Sequence, residues 1–494
     1  MNKNRQIIMT NYSQLVRTII IIIVVSIGAY FFTKGTTYPS QFKIIENTTK
    51  IRTDKIQDFT GAMLVNLDED SDLEIFIAGH GNSSLFLKRI KDEYYPMEIP
   101  ELSNPLGLTF SITACDLDKD GRDEILVLNH PNSSNNLSNS RILKFNQGRW
   151  IDLLTANDPI TTSLKSGYSS TCIDRKGDGK YGLAVTNENG KISYLELEES
   201  SIIDVANEIG IALKSKGRSI LGIPSPRGPT NIFVGNEDGA NFFFENKGDG
   251  TFTEKADSVG VSDHLFNARG ISIIDLNNDE IPDIVYGNNL GPTRLLEQTR
   301  EGKFLDVTPE IMKVAYAVNS PVVGDFNLDG YEDLFLNNIR GYNKVFTHFD
   351  KNWYEIDSGI LAEKEMFGVS TIAADLDKNG SYDILNTHGD GSHFPLTLYS
   401  IESSNQWIKF SAKYKNGSTL RGATIILRTN KRDQVRVIST GSGRFANYDD
   451  NVIFGLIKNE EVISSEIILP SGVRVEYKGG LNLMRNNEFI IPLP

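Results

Sequence analysis

Five segments of the chain place oxygen-bearing side chains at alternating positions one, three and five and an acid at position nine. The first is Asn66, Asp68, Asp70 and Glu74, and the second is Asp116, Asp118, Asp120 and Glu124. Three later copies are Asp275, Asn277, Asp279 and Asp283; Asp325, Asn327, Asp329 and Asp333; and Asp375, Asp377, Asn379 and Asp383. Their first positions stand fifty residues apart. Alternating carboxylates on a tight turn aim several oxygens into one small volume, where each like-charge pair at about 4 Å costs roughly 1–4 kcal/mol. A hard cation removes that cost. Calcium takes about six to eight oxygens, which three side chains, a backbone carbonyl at position seven and a bidentate acid at position nine supply together with water; magnesium, with its rigid octahedral shell, fits less well. The expected cofactor is therefore Ca2+, at about five sites. One isolated D-x-D-x-D-G is an ordinary turn, but five in register call for a common cause. An EF-hand is excluded, because position twelve from Asp116 is Val127 and the flanks read as strands. Five ions would bring the formal charge of −14 to about −4, a structural neutralisation of the loops.

The elements that must hold such loops follow from their flanks. A short apolar run precedes each loop, as in Gly270 to Ile274, and another follows, as in Ile284 to Tyr286. Continuous apolar runs of this length between turn residues read as strands buried on both faces. Two further segments, Thr293 to Glu297 and Phe304 to Val307, complete a four-stranded unit. Two weaker copies fall between the clear ones. IDRKGDGKYGLAV keeps Asp174 and Asp178 but has Lys176 and Gly182 at the third and ninth positions, which excludes it as a site and puts an ammonium where a metal would sit. The slot at residues 224 to 234 keeps no carboxylate. Seven units at roughly fifty-residue steps mean a propeller or solenoid. The stretch Phe42 to Ile51 matches the outer-strand segments Phe304 to Ile311 and Phe252 to Val261, while the seventh unit ends after its third strand. Phe42 to Asn47 is therefore expected to supply the outer strand of blade seven and close the ring.

Composition agrees with many short strands: of 494 residues 42 are Gly, with 39% hydrophobic and 23% charged. The acidic balance and the lack of a Lys/Arg cluster exclude a nucleic-acid partner. Cys115 and Cys172 make no disulfide framework or cysteine zinc site and read as buried, inert thiols. Near the N-terminus, Thr18 to Thr33 is an almost unbroken apolar run preceded by Lys3, Arg5 and Arg17. As a helix it would be about 24 Å long, just enough to span with flanking Arg17 and Lys34 snorkelling. Positive-inside orientation puts the N-terminus in the cytoplasm. A cleaved signal peptide is the competing reading, but no A-x-A-like site follows. Either way, everything after about residue 40 is exported.

At its loops the chain resembles FG-GAP/VCBS-repeat proteins, whose repeats also build integrin α-chain propellers; Phe242 to Glu254 (FFFENKGDGTFTE) is similar to that family's N-x-G-D-G-x-F turn. From Asn405 onward, NQWIKF, RGATIIL, Gln434, Arg436, TGSGRF (Thr440 to Phe445), FGL (Phe454 to Leu456) and ILPSG (Ile468 to Gly472) resemble the ASPIC/UnbV domain, which accompanies such repeats in the cartilage acidic protein-like family. A departure is Leu469, where a tryptophan usually precedes P-S-G. The expected fold is thus all-β: a cytoplasmic basic segment over 1–17, a transmembrane signal anchor over 18–33, a seven-bladed β-propeller over 40–402 and a β-sandwich-like domain over 403–494. The resemblance implies secreted or surface proteins with binding and adhesion roles.

No catalytic constellation is recognisable. The histidines His80, His130, His264, His348, His388 and His393 show no metal-type spacing, so a non-enzymatic binding, adhesion or scaffolding module is expected, with an extracellular or periplasmic protein or glycan as ligand. The resemblance places ligands on the face opposite the calcium loops, with His264, Phe266, Arg269 and Phe367 as candidate contacts. The rival reading is a polysaccharide-active lyase or hydrolase with structural calcium. A third is a structural partner in an envelope complex, docking through the C-terminal domain.

Overall fold

The computed structural model describes residues 43–493 apart from 47–49, 54–56, 69, 71, 104–107, 131–139, 155–159, 161–163, 165–166, 226–227, 315, 350, 365, 390–393, 442–445, 448–449 and 479–484. The segments 1–17 and 18–33, with the anchor expected there, lie outside the described residues. Among the described residues no helix is long and apolar enough to cross a membrane.

The regular structure of the described chain is mostly strand, with only short helices. Seven four-stranded antiparallel meanders follow one another. Blade 1 is Phe59–Val65, Glu74–Gly79, Leu85–Ile90 and Glu93–Met97; blade 2 is Leu108–Cys115, Glu124–His130, Arg141–Asn146 and Arg149–Asp152; blade 3 is Gly167–Ile173, Gly182–Lys191, Ser193–Glu198 and Ser201–Asp204. Blade 4 runs Lys214–Ser225, Gly228–Asn236, Phe242–Asn246 and Phe252–Glu254; blade 5 runs Ala268–Ile274, Asp283–Gly291, Arg294–Gln298 and Phe304–Asp306; blade 6 runs Tyr316–Gly324, Asp333–Asn338, Lys344–Phe349 and Asn352–Ile356. Blade 7 has only Gly368–Ala374, Asp383–His388 and Thr397–Glu402 from its own stretch of chain. Its fourth strand is Lys43–Glu46, antiparallel to the third with Lys43 opposite Glu402 and Glu46 opposite Tyr399, the closure expected from the Phe42 to Ile51 match. First strands neighbour one another in cyclic order, and that of blade 7 packs on that of blade 1.

The apolar runs are continuous because each strand serves two cores. Successive side chains point to opposite faces: Ile284 and Tyr286 pack against blade 4, and Val285 between them packs against blade 6. Seven apolar layers, one between each pair of neighbouring blades, result. The layer of Phe59, Ile75 and Leu87 with Ile372, Leu385 and Leu398 closes the circle.

The cysteines depart from expectation. Cys115 and Cys172, each near the end of a first strand, form a disulfide between blades 2 and 3, their Cα atoms 5.5 Å apart. Two thiols far apart in sequence say nothing of this, because only the stacking of neighbouring blades brings them together.

From Gln406 a second β domain follows, made of a three-stranded sheet (Asn451–Leu456, Gln406–Tyr414, Glu488–Leu493) and a four-stranded one (Asp433–Val437, Thr424–Thr429, Val462–Ile468, Arg474–Lys478) around one core. Ala446–Asn447 leaves this domain and pairs in parallel with Ala62 and Met63 on the first strand of blade 1. Earlier in the same stretch Thr440 accepts hydrogen bonds from Thr171 Oγ1 (2.8 Å) and the Cys172 N–H (3.1 Å) of blade 3, and its hydroxyl accepts one from the Gly222 N–H of blade 4 (3.1 Å). Thr440 and Ala446–Asn447 thus touch the inner strands of three blades.

Candidate metal loops and the domain that covers them

Each acidic loop joins the first and second strands of its blade, as spacing requires. Its acids are wired locally. The position-nine acid is buried at the start of the second strand and takes the N–H of position two: Leu67 to Glu74 (2.7 Å), Leu117 to Glu124 (2.8 Å), Leu276 to Asp283 (2.8 Å), Phe326 to Asp333 (3.0 Å) and Leu376 to Asp383 (3.0 Å). Position five folds back on position one, with Asp120, Asp279 and Asp329 N–H donating to Asp116, Asp275 and Asp325 Oδ1 (3.2, 3.3 and 2.9 Å). These bonds set the turn.

Burial makes these acids hard to ionise without a cation. It pushes Glu74 and Glu124 up to about 7, Asp275 to about 7, Asp283 to about 8, Asp325 to about 7 and Asp383 to about 7, and raises Asp333 well above its ordinary value. Neighbouring loop carboxylates add to the shift in Asp275, Asp325 and Asp333. In blade 5 no Lys or Arg lies within ion-pair distance of Asp275, Asp279 or Asp283 among the described residues, and Asp275 Oδ2 is buried without a hydrogen bond. Asp375 Oδ1 in blade 7 is in the same position. Buried oxygens of this kind suit a cation, and in blades 5, 6 and 7 the residue types present fit calcium: three carboxylates, an Asn carbonyl oxygen and backbone in one turn.

The loops of blades 1 and 2 are different. Their acids are the most tightly grouped: single oxygens of Asp68, Asp70 and Glu74, and of Asp116, Asp118 and Asp120, lie within 4.8 Å of one another. A lysine ammonium from the third strand sits among the acids of each loop. Lys88 bonds Asp68 and Asp70 (2.6 Å to the latter) and lies 4.0 Å from Glu74; Lys144 bonds Asp118, Asp120 (2.7 Å) and Glu124 (3.0 Å). In blade 3 Arg175 bonds Glu196 of the third strand at 2.6 Å. Asp174 is satisfied there by the N–H groups of Lys176, Gly177, Asp178 and Gly179. Blade 4 replaces the loop with a short connection between Ser225 and Gly228.

The C-terminal domain lies on this face of the ring and engages the loops directly. Ser418 bonds Asp116; Arg421, almost fully buried, makes a two-pronged contact with Asp123 at 2.7 Å on each arm and a third bond to Asp450 at 3.1 Å. In blade 6 the Gly455 N–H donates to Asp325 Oδ2 (2.9 Å) with Arg436 3.5 Å away, and in blade 7 Lys409 lies 3.3 Å from Asp375. The position-six glycines Gly121 and Gly380, at φ 89° and 86°, serve twice. They adopt the left-handed turn, and a Cβ on either would strike the domain, at 1.9 Å from the Asn416 carbonyl oxygen and 1.7 Å from Trp407. Acid spacing marks the loops but not what covers them; a sequence cue lay in Gln434 and Arg436, polar residues on either side of Val435.

On the opposite face the first strand of every blade carries a register shift, at Phe59/Ala62, Val318/Ser320 and Gly368/Ser370 in blades 1, 6 and 7 and at Thr109/Ser111, Gly167/Ser169, Gly217/Ser219 and Ala268/Ile271 in blades 2 to 5. In blades 2 to 5 the skipped residues are Phe110, Tyr168, Arg218 and, with Gly270, Arg269. Phe110 packs on His80 (5.4 Å), His130 (4.5 Å) and Tyr168 (5.1 Å), and Arg218 covers the Tyr168 ring at 4.2 Å. Arg218 and Arg269 both pair with Glu237. Of the sequence-named contacts, Arg269 belongs to this band; His264 pairs with Asp257 (3.1 Å), Phe266 lies under Arg294 (5.3 Å), and Phe367 packs on Phe394 (6.4 Å).

A model of the FG-GAP-like repeat matches residues 66–127, 228–286 and 275–336, the stretches that hold four of the five acidic loops. Among solved structures, the crystal structure of BBS1N in complex with ARL6DN matches 74% of this chain and 98% of its own at a TM-score of 0.46 and 13% identity. Cartilage acidic protein 1 of Xenopus tropicalis is 33% identical over 455 residues, 83% of this chain and 70% of that protein. The Homo sapiens protein of the same name is 32% identical over 458 residues, 84% of this chain and 69% of its own. Identity of 32–33% over 83–84% of the chain, with FG-GAP-like repeat matches in its ring, makes this chain a member of the cartilage acidic protein family.

Proposed function

We propose that the chain works outside the cytoplasm as a calcium-braced binding or scaffolding propeller, tethered to a membrane by residues 18–33, and that it presents a protein or glycan ligand-binding surface on the face opposite its loops. The observation that carries this reading is the engagement of the loop acids by the C-terminal domain: Asp116, Asp325 and Asp375 contact Ser418, Gly455 and Lys409. Carboxylates held in this way, and needed to hold cations, are not free to act as acid and base on a polysaccharide. Calcium would be held by Asp275, Asn277, Asp279 and Asp283 in blade 5 and by their counterparts in blades 6 and 7, where it would neutralise the loops and brace the ring beneath the second domain. The disulfide suits an oxidising compartment beyond the cytoplasm.

The surface left to a ligand is the band from Phe110 and Tyr168 to Arg218 and Arg269. Bulges re-aim side chains at the ends of strands, and aromatic rings beside guanidinium groups suit sugar faces or acidic and aromatic side chains. The test is an array of glycans and extracellular proteins probed with residues 40–494 in calcium. Capture that falls at least tenfold in Phe110→Ala and Arg218→Ala, with melting unchanged, supports the reading. Depolymerisation of a glycan, or capture indifferent to both substitutions, refutes it.

A further inference from the structure

Strand pairing explains why blades 1 and 2 hold lysines. Ile75 stands opposite Leu87 and Ile125 opposite Leu143, so the next pairs outward are Glu74 with Lys88 and Glu124 with Lys144. Each lysine therefore grows from the third strand at the place facing the ninth ligand. From there its ammonium reaches positions three, five and nine together. The same pairing place holds Glu297 in blade 5, Thr347 in blade 6 and Ser400 in blade 7. None is cationic. Thr347 and Ser400 instead donate hydroxyl bonds to Asp333 (2.8 Å) and Asp383. The ninth ligand changes in step: it is Glu where the partner is Lys, and Asp in blades 5, 6 and 7.

Other cations near blades 6 and 7 each pair with one acid of the ligand set and not with three. Arg436 approaches Asp325 Oδ2, an oxygen already bonded by the Gly330 and Gly455 N–H groups; Lys409 and Lys50 each reach one carboxylate of blade 7, Asp375 and Asp377, and Asp375 Oδ1 stays unpartnered. Blade 1 has a further charge against a metal, since Arg122 donates to Asn66 Oδ1 (3.4 Å) and the Asp68 carbonyl. An ammonium and a calcium ion cannot share one oxygen cage, and expelling the lysine would give up three charge-assisted contacts.

Resting on the calcium reading above, we infer that Lys88 and Lys144 are built-in replacements for the ion: the loops of blades 1 and 2 are neutralised by protein and metal-independent, and calcium binding is confined to blades 5, 6 and 7. The ring then has a metal-free side, blades 1 to 4, and a metal-braced side.

Equilibrium dialysis of the full chain against radiolabelled calcium tests this. The wild-type chain is expected to hold about three ions, Lys88→Met/Lys144→Met about five, Asp279→Asn about two and Asp120→Asn still about three. A wild-type count near five, a count lowered by Asp120→Asn, or a folded double lysine variant that gains no ion overturns the inference while leaving calcium binding intact. A wild-type count of zero overturns the calcium reading itself. Should the lysine variant fail to fold, the contrast between Asp120→Asn and Asp279→Asn decides alone.

Discussion

At the scale of residues, the loop acids set a pH dependence whose sign is opposite to that of an ordinary carboxylate ion pair. Without calcium, burial holds Asp275, Asp283 and Asp383 at about 7, 8 and 7, whereas unfolded Asp ionises near about 4. Between those values the folded chain binds more protons than the unfolded one, so its stability declines as pH rises from about 4 to about 8. Calcium keeps the same carboxylates ionised in the fold and removes the decline. Calorimetry in chelator is thus expected to give a melting temperature that falls from pH 5 to pH 8, and in excess calcium a flat one; parallel profiles would refute the assignment. Arg421 gives a second residue-scale prediction. Its guanidinium is 2% exposed and bonded to Asp123 and Asp450, and Arg421→Met takes the cation from two half-buried acids, leaving Asp450 only the Thr419 hydroxyl, at a cost of about 3–5 kcal/mol in denaturant titration. The Arg421→Met/Asp123→Asn double variant should recover part of that loss.

At the scale of elements, the ring depends on two fastenings that join distant parts of the chain. Lys43–Glu46 covers the edge of Thr397–Glu402, and an uncovered edge strand is a template for pairing with other chains. Ile44→Pro, which removes a backbone donor from that strand, is expected to lower the melting temperature by several degrees and to bring on aggregation seen by light scattering. The outer-strand match of Phe42 to Ile51 made this fastening readable in advance, because it rests on a repeat out of its usual place. The disulfide was not readable. Cys115 and Cys172 are separated by 57 residues, and closing a loop of that length contributes about 4 kcal/mol in the chain-entropy model. Reduction of the unfolded chain before refolding, or Cys115→Ser/Cys172→Ser, should lower unfolding free energy by up to that amount.

At the scale of the whole molecule, the loops serve as a floor for the second domain. Gly121 and Gly380 let its backbone and Trp407 come within reach of the turns, so Gly380→Ala should separate the unfolding of the domain from that of the ring, visible as two calorimetric transitions in place of one. Repeat period, apolar runs and recurring acids were enough, by themselves, to determine an all-β ring of seven units and the five acidic loops, since both follow from local pattern: turn chemistry and strands buried on two faces. Three matters depended on tertiary structure. Lys88 and Lys144 reach the loops through strand register, the cysteines meet through the stacking of adjacent blades, and the second domain settles on the ring through Arg421, Arg436, Thr440 and Ala446–Asn447. Each joins groups far apart in the chain, and periodicity carries no information about such distances in space.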